Sequence, residues 1–231
     1  MSVEGLREYR YEWKIVINQM DLQILRQRLQ LLLIPDPYSL NGKGLYFIRS
    51  LYFDTPENKA LREKLDGVNK REKFRIRYYN HDLSFIRLEK KYKWNSVGNK
   101  RMAPLTSQET QKIIDGDWLW LAQSSHELLR ELYYKMLTQN LRPKTIVDYQ
   151  REAYFYPAGG VRVTLDYDLR TGVTSTDALS PDLPTASVPD DSAVMEVKWD
   201  TFLPEVIRDL VQLPSRRTAP FSKYASCRVF G

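Results

Sequence analysis

The chain has one cysteine, Cys227, and two histidines, His81 and His126. One thiol excludes an intrachain disulfide, and one Cys with two His excludes a Cys/His zinc cluster. Cys227 reads as a packed core thiol, and each histidine as structural or solvated. A chain without disulfides fits a reducing compartment, so a cytoplasmic location is expected. The longest apolar run, around Leu29 to Ile34, is far shorter than the ~20 residues that span a bilayer. No secretory leader is expected at the start. Gly42-Lys43-Gly44 is a turn-like fragment and not a phosphate loop, since no GxxxxGK[ST] occurs; no GxSxG elbow occurs either. Between Thr171 and Val197 there is no Lys or Arg, and no internal repeat is visible.

Positive charge is concentrated elsewhere. The net charge over 231 residues is +6. From Arg62 to Arg101 thirteen Lys and Arg stand against five acids. That asymmetry implies a localised anion site more than a generally sticky surface. The length fits one large domain, 1–231, with an ordinary apolar content and fifteen Tyr and five Trp.

Nine of those thirteen bases lie in two neighbouring segments, Lys70 to Tyr79 (KREKFRIRYY) and Ser84 to Trp94 (SFIRLEKKYKW). Successive side chains of a strand point to opposite faces. With that period Arg71, Lys73, Arg75 and Arg77 share one face, opposite Glu72, Phe74, Ile76 and Tyr78. In the second segment Arg87, Glu89, Lys91 and Lys93 share a face, interrupted early by Phe85. Ile86, Leu88 and Tyr92 lie opposite, with Lys90 the exception. The linker Asn80-His81-Asp82-Leu83 is short enough for a hairpin. Like charges facing each other on paired strands repel, so two basic ribbons side by side point to a bound polyanion. A solvated outer face of an antiparallel sheet is the plainer reading of either strand alone.

The pattern recurs along the chain. Tyr9 to Ile17 reads as a strand with Arg10, Glu12 and Lys14 on one face and Tyr11, Trp13 and Ile15 on the other. Leu45 to Phe53, Val97 to Leu105 (carrying Lys100), Lys144 to Tyr156, Val161 to Tyr167 and Ser192 to Trp199 are further strands. Helices are predicted over Met20 to Leu33, Glu57 to Leu65, after the capping box Thr106/Glu109, over Trp118 to Leu137 with a break at Ser124-Ser125, over Pro204 to Leu213, and over Ser222 to Phe230. Thr171 to Asp191 reads as a mobile loop with a short strand at its start.

Many strands with one charged and one apolar face, alternating with amphipathic helices, predict an α+β fold. The expected form is a closed antiparallel β-barrel with a charged interior, covered outside by α-helices. Interior charges on that scale are costly unless the lumen is wet and a counter-anion occupies it. Glu12, Glu89, Asp166 and Glu196 sit on the same faces as the bases. They are either ion-pair partners or ligands of a hard divalent cation beside phosphates.

The sequence resembles the VTC domain, the polyphosphate polymerase module of the CYTH-like triphosphate tunnel metalloenzyme superfamily. RYEWK, IRSLYFDTPEN (Ile48 to Asn58), KREKFRIRYY, RLEKKYK (Arg87 to Lys93), DYQREAY (Asp148 to Tyr154), VRVTLDYDL (Val161 to Leu169), MEVKW (Met195 to Trp199) and SKYASCR (Ser222 to Arg228) follow in the family's order. The resemblance implies an antiparallel tunnel in which ATP donates its γ-phosphate to a growing polyphosphate chain. The implied phosphate ligands are Lys14, Arg75, Arg77, Lys91, Arg151, Arg162, Lys198 and Lys223. Lys93 and Lys100 are more peripheral substrate contacts, Tyr149 lines the site, and Ser222 offers its hydroxyl at a helix start. Glu196 is the implied ligand of Mn²⁺ or Mg²⁺, with Glu12 and Glu89 as further metal candidates. ATP and inorganic polyphosphate are the implied partners. Association with a membrane partner and the oligomeric state are left open.

Three functions share these features: polyphosphate synthesis, triphosphate hydrolysis in the same fold, and polyphosphate binding without turnover. Nucleic-acid binding ranks below them. An exposed basic groove would need neither carboxylates on the same faces nor helices over the apolar ones.

Overall fold

Period-two alternation becomes an antiparallel sheet in the computed structural model. It describes residues 11–40, 42–94, 97–189, 193–214 and 216–230. Tyr9 and Arg10, expected in the first strand, and residues 190–192, at the loop end and last strand's start, lie outside them. The strands are β1 (Tyr11–Ile17), β2 (Ile34–Pro35), β3 (Leu45–Asp54), β4 (Arg71–Tyr79), β5 (Asp82–Trp94), β6 (Val97–Leu105), β7 (Arg142–Tyr156), β8 (Val161–Thr171), β9 (Ala186–Ser187) and β10 (Ala193–Trp199). The helices are α1 (Gln19–Gln30), α2 (Lys59–Leu65), α3 (Ser107–Ile114), α4 (Glu127–Thr138), α5 (Glu205–Val211) and α6 (Lys223–Phe230). Contacts divide the chain into two units, one of residues 1–46, 150–167 and 190–221, the other of 47–149, 168–189 and 222–231. Strands β7 and β8 each contribute to both.

In the first unit β1 pairs with β10 and β10 with β8, both antiparallel. Trp13, Val197 and Val163 share one row, and Ile15, Met195 and Leu165 the row two residues on. This apolar face packs on Leu22, Leu25 and Leu29 of α1 and on Ile207 and Val211 of α5. The 22/25/29 spacing is one stripe of a helix. Each such side chain, fully buried, contributes about 1.5–3 kcal/mol. Helix α1 starts where Asn18 and Asp21 form a capping box. The outer edge of β1 is covered by an irregular segment: Ala219 N–H donates to Lys14 O at 2.9 Å and Ile15 bridges Thr218.

In the second unit the ladder runs β3-β4-β5-β6. Leu51, Ile76, Leu88 and Ala103 fall in one cross-strand row. They are buried against Ile113 of α3, Leu121, and Leu128, Leu132 and Met136 of α4. The hairpin between β4 and β5 turns on Asn80 and His81, both at positive φ (53° and 58°), the geometry a two-residue hairpin requires. Lys90, the base on the apolar side of β5, bonds Glu72 and Glu131, so its ammonium is neutralised at the helix–sheet seam. The break near Ser124-Ser125 is real: a 3-10 turn ends at Gln123 and α4 starts at Glu127. His126 is structural, its Nδ1 accepting from Leu128 N–H.

The α+β class, the antiparallel pairing and the helix-covered apolar faces match the expectation. Hydrogen-bonded closure does not: the ladder path has β1 and β6 as ends, and no ladder joins them among the described residues. Covering an edge with irregular chain satisfies its N–H and C=O groups as closure would.

The acidic loop is also packed where mobility was expected. Its short strand, β9, lies near its end and pairs with Arg170 and Thr171. The Arg49 guanidinium donates bidentately to Asp148 (3.0 and 2.8 Å) and to Ser180 O at 2.6 Å, and Tyr78 Oη donates to Ala178 O at 2.5 Å. Arg49 and Asp148 are 3% and 2% exposed, so neither charge can be relieved by water. Asp148→Ala should therefore destabilise the protein by about 3–5 kcal/mol in urea denaturation, the cost of a buried unpaired guanidinium. A loss under ~1 kcal/mol, the range of exposed pairs, would show that the loop is not anchored there.

Candidate functional site

The faces opposite the helices carry the charges, and each unit has its own set. In the first unit, register places Glu12, Lys198 and Arg162 in one row and Lys14, Glu196 and Thr164 in the next. Lys14 Nζ lies 2.7 Å from Glu196 Oε1 and 3.5 Å from Glu12 Oε1. Lys198 Nζ lies 3.2 Å from the same Glu12 oxygen and 3.1 Å from Glu196 Oε2. Arg151 grips Asp166 with Nε and NH2 at 2.6 and 2.7 Å and approaches Glu196 at 3.9 Å. Arg162 NH2 donates to Asp36 at 2.8 Å. Lys14, Lys198, Arg151 and Arg162 thus meet Glu12, Glu196, Asp166 and Asp36, and this face is close to neutral.

The second unit is different. Tyr52, Arg75, Glu89 and Met102 form one cross-strand row, and Ser50, Arg77, Arg87 and Pro104 another. Lys73, Lys91 and Lys100 form a third, and Arg71 and Lys93 are partners in a fourth. Eight bases share these registers with a single acid, Glu89. Arg75 Nε and NH2 hold Glu89 Oε2 at 2.7 and 2.6 Å, and Lys100 Nζ holds Oε1 at 2.5 Å. Burial works against the Glu89 charge, yet Arg75, Arg77 and Lys100 hold its pKa down at about 2. Arg77 is 5% exposed and donates to Ser50 Oγ at 2.9 Å and Tyr149 Oη at 3.1 Å. Lys223, first residue of α6, lies 4.8 Å from the centre of the Tyr149 ring. Ser222 Oγ accepts from Ala225 N–H and caps that helix.

The structure therefore brings Lys14, Arg151, Arg162, Lys198, Glu12 and Glu196 to one face of the first unit. Arg75, Arg77, Lys91, Lys93, Lys100 and Glu89 share a face of the second, which Tyr149 joins through Arg77 with Lys223 over its ring, while Ser222 precedes Lys223 as the cap of α6. Asp36, Ser50, Tyr52 and Thr164 were not singled out in the sequence. Ser50 and Tyr52 were hidden because β3 is apolar on both faces. Their signal was register, since they sit two apart opposite Arg77 and Arg75.

The first unit offers the better cation position. Glu12 and Glu196 are hard oxygen donors bound by the same two ammonium groups, so they lie side by side. Among the described residues, no three His, Cys, Asp or Glu converge as a metal cage. Two carboxylates suit Mg²⁺ or Mn²⁺, which keep waters and share phosphate oxygens instead of filling an all-protein cage. Thr164 Oγ1 and Arg162 Nε are buried without a hydrogen-bond partner, and both lie in these same two rows. Orphaned polar atoms of this kind are what an oxygen-rich ligand would satisfy. Glu89, the one acid of its registers, would have to hold a cation alone.

The model of the VTC domain family matches residues 9–230. A protein from Hippeastrum, described as a candidate adenylyl cyclase with a dominant triphosphatase activity, is 16% identical with a TM-score of 0.55, covering 93% of this chain and 92% of that one. A protein from Pyrococcus horikoshii OT3 is 13% identical with a TM-score of 0.51, covering 95% and 99%. A candidate adenylate cyclase from Bacillus halodurans is 15% identical with a TM-score of 0.50, covering 83% and 80%. At such identities the likeness is one of fold alone. No curated protein matches the chain. Among the described residues no helix is long and apolar enough to cross a membrane.

Glu89 supplies the pH test. Its folded pKa is depressed, so its contribution to stability is complete above the ordinary value of 4.5 and is lost as pH falls toward about 2. Glu89→Gln should lower stability at neutral pH and flatten that acid limb in denaturation measured across the range. An unchanged limb would mean that the Arg75 and Lys100 contacts do not hold the carboxylate.

Proposed function

Because this chain belongs to the VTC domain family, we propose that it is a metal-dependent ATP:polyphosphate phosphotransferase. A terminal phosphate oxygen of the growing chain attacks the γ-phosphorus of ATP, the bond to the β-phosphate oxygen breaks, and ADP leaves. The supporting observation is the eight-to-one excess of bases over acids in the four charged-face rows of β3–β6 described above. A face so charged calls for a polyanion, and each charge-assisted bond to a phosphate oxygen contributes on the order of 1.5–3 kcal/mol.

No side-chain nucleophile is required. Phosphoryl transfer depends on alignment and on neutralising charge at the equatorial and leaving oxygens. In this proposal Arg75, Arg77 and Lys91 hold the reacting phosphates. Arg offers planar forks and Lys point charges. Lys14, Arg151, Arg162, Lys198 and Lys223 supply further phosphate contacts, Lys93 and Lys100 peripheral ones, and Tyr149 and Ser222 line the site. Glu196, with Glu12 beside it, would hold Mg²⁺ or Mn²⁺. When bound, the cation supplies charge neutralisation across phosphate oxygens. A cytoplasmic setting, where ATP is present, belongs to the same proposal.

Incubation with ATP and Mn²⁺ is the test. A ladder of acid-labile phosphate polymer with ADP supports the synthase. Free phosphate without polymer replaces it with a hydrolase, the activity named for the Hippeastrum neighbour. Thermal stabilisation by polyphosphate without turnover replaces it with a binding module. Arg75→Ala with Arg77→Ala should abolish turnover and lower stability, because buried Glu89 loses its Arg75 partner, while the fold is retained with Lys100 still on that carboxylate. Loss of folding would make these arginines structural. Glu196→Gln should remove both activity and the Mn²⁺-induced thermal shift while polyphosphate still stabilises. Full activity in that variant would exclude the metal assignment.

A further inference from the structure

Tyr52 stands on the charged face of β3, directly across the ladder from Arg75. Arg75 NH1 donates to Tyr52 Oη at 2.8 Å, while its Nε and NH2 reach Glu89. The guanidinium is thus gripped from both sides, and these bonds use three of its five N–H donors. Arg75 and Lys73 lie 5.7 and 5.5 Å from the centre of the Tyr52 ring. Tyr224 of α6 stacks on it at 5.0 Å, its own hydroxyl donating to Asp54. The Tyr52 side chain is 3% exposed.

We propose that Tyr52 is a positioning residue of the phosphate-binding face: its hydroxyl holds the Arg75 fork toward phosphate, and loss of its proton diverts Arg75 from phosphate to the phenolate. This rests on the reading of that face as a phosphate site. The groups facing the phenol are Lys73, Arg75 and Arg77 of β4 and Tyr224 of α6, with Glu89 of β5 reached through Arg75. Burial opposes ionisation, yet Arg75, Lys73 and Arg77 together bring the phenol down to about 7. Phenolate and phosphate then compete for the same cations. Anion binding takes up a proton, so affinity is highest below the phenol's pKa and falls as pH rises through it.

The test is calorimetric binding of long-chain polyphosphate, whose internal phosphates are strong acids, from about pH 6 to about pH 8. Wild-type affinity should fall by up to about tenfold per pH unit above the phenol's pKa. Tyr52→Phe, which keeps the stack on Tyr224, should remove that slope. Near-ultraviolet phenolate absorbance of the wild type gives a second measure that needs no variant. One tyrosine should titrate near neutrality, and polyphosphate should move its midpoint upward. Identical pH profiles in wild type and variant, or no tyrosine titrating near neutrality, overturn the Tyr52 role even if polymer forms from ATP. Binding with the expected slope but no polymer overturns the synthase and upholds Tyr52. A folded wild type that binds no polyphosphate at any pH overturns both.

Discussion

Helices lie on the apolar face of the sheet in each unit, and the charged face is what remains. That arrangement is the constraint on everything else. Val163, Leu165, Met195 and Val197 are fully buried under α1 and α5, and Leu51, Ile76 and Leu88 under α3 and α4. Once those rows are fixed, alternation leaves no choice for their neighbours. Glu196, Lys198 and Arg162 must point the other way, as must Arg75, Arg77 and Glu89.

The two units answer the resulting charge differently. The first neutralises itself: four bases meet four acids, several at hydrogen-bond distance, and two of those acids, Glu12 and Glu196, share Lys14 and Lys198 and so stand side by side. The second does not, since Glu89 alone opposes eight bases. Cross-strand Lys73, Lys91 and Lys100 repel one another, Lys100 is held by Glu89, and a bound anion would offset what repulsion remains. The proposed roles follow from that difference, with the reacting phosphates held where positive charge is in excess and the metal where carboxylates converge. Arg75 shows how such a face remains usable: Glu89 and Tyr52 fix its fork without consuming all of its donors.

Most strands were legible because their two faces differ in polarity. β3 was legible as a strand but silent about its site residues, because Leu, Tyr, Phe and Ile occupy both of its faces. The acidic loop was misread for a related reason. Its composition lacks periodicity, and its order comes from Arg49, Asp148 and Tyr78, residues that sequence places far from it. Asp36 carries no periodic signal, and only the fold sets Arg162 against it. The edge of β1 could not be foreseen either, because Thr218 and Ala219 carry no strand signal and cover it with backbone alone.

Sequence alone determined which face of most strands is charged, where the long strands and the helices lie, and the ordered fragments by which the VTC family is recognised. These are local properties, set by side-chain alternation over a few residues. Tertiary structure decided which charge meets which. Lys14 and Glu196 are 182 positions apart in the chain and 2.7 Å apart in space. Alternation assigns a residue to a face but not to a row. Electrostatic energy depends on distance between charges, so only strand register could separate a self-neutral set of charges from one with an excess of bases.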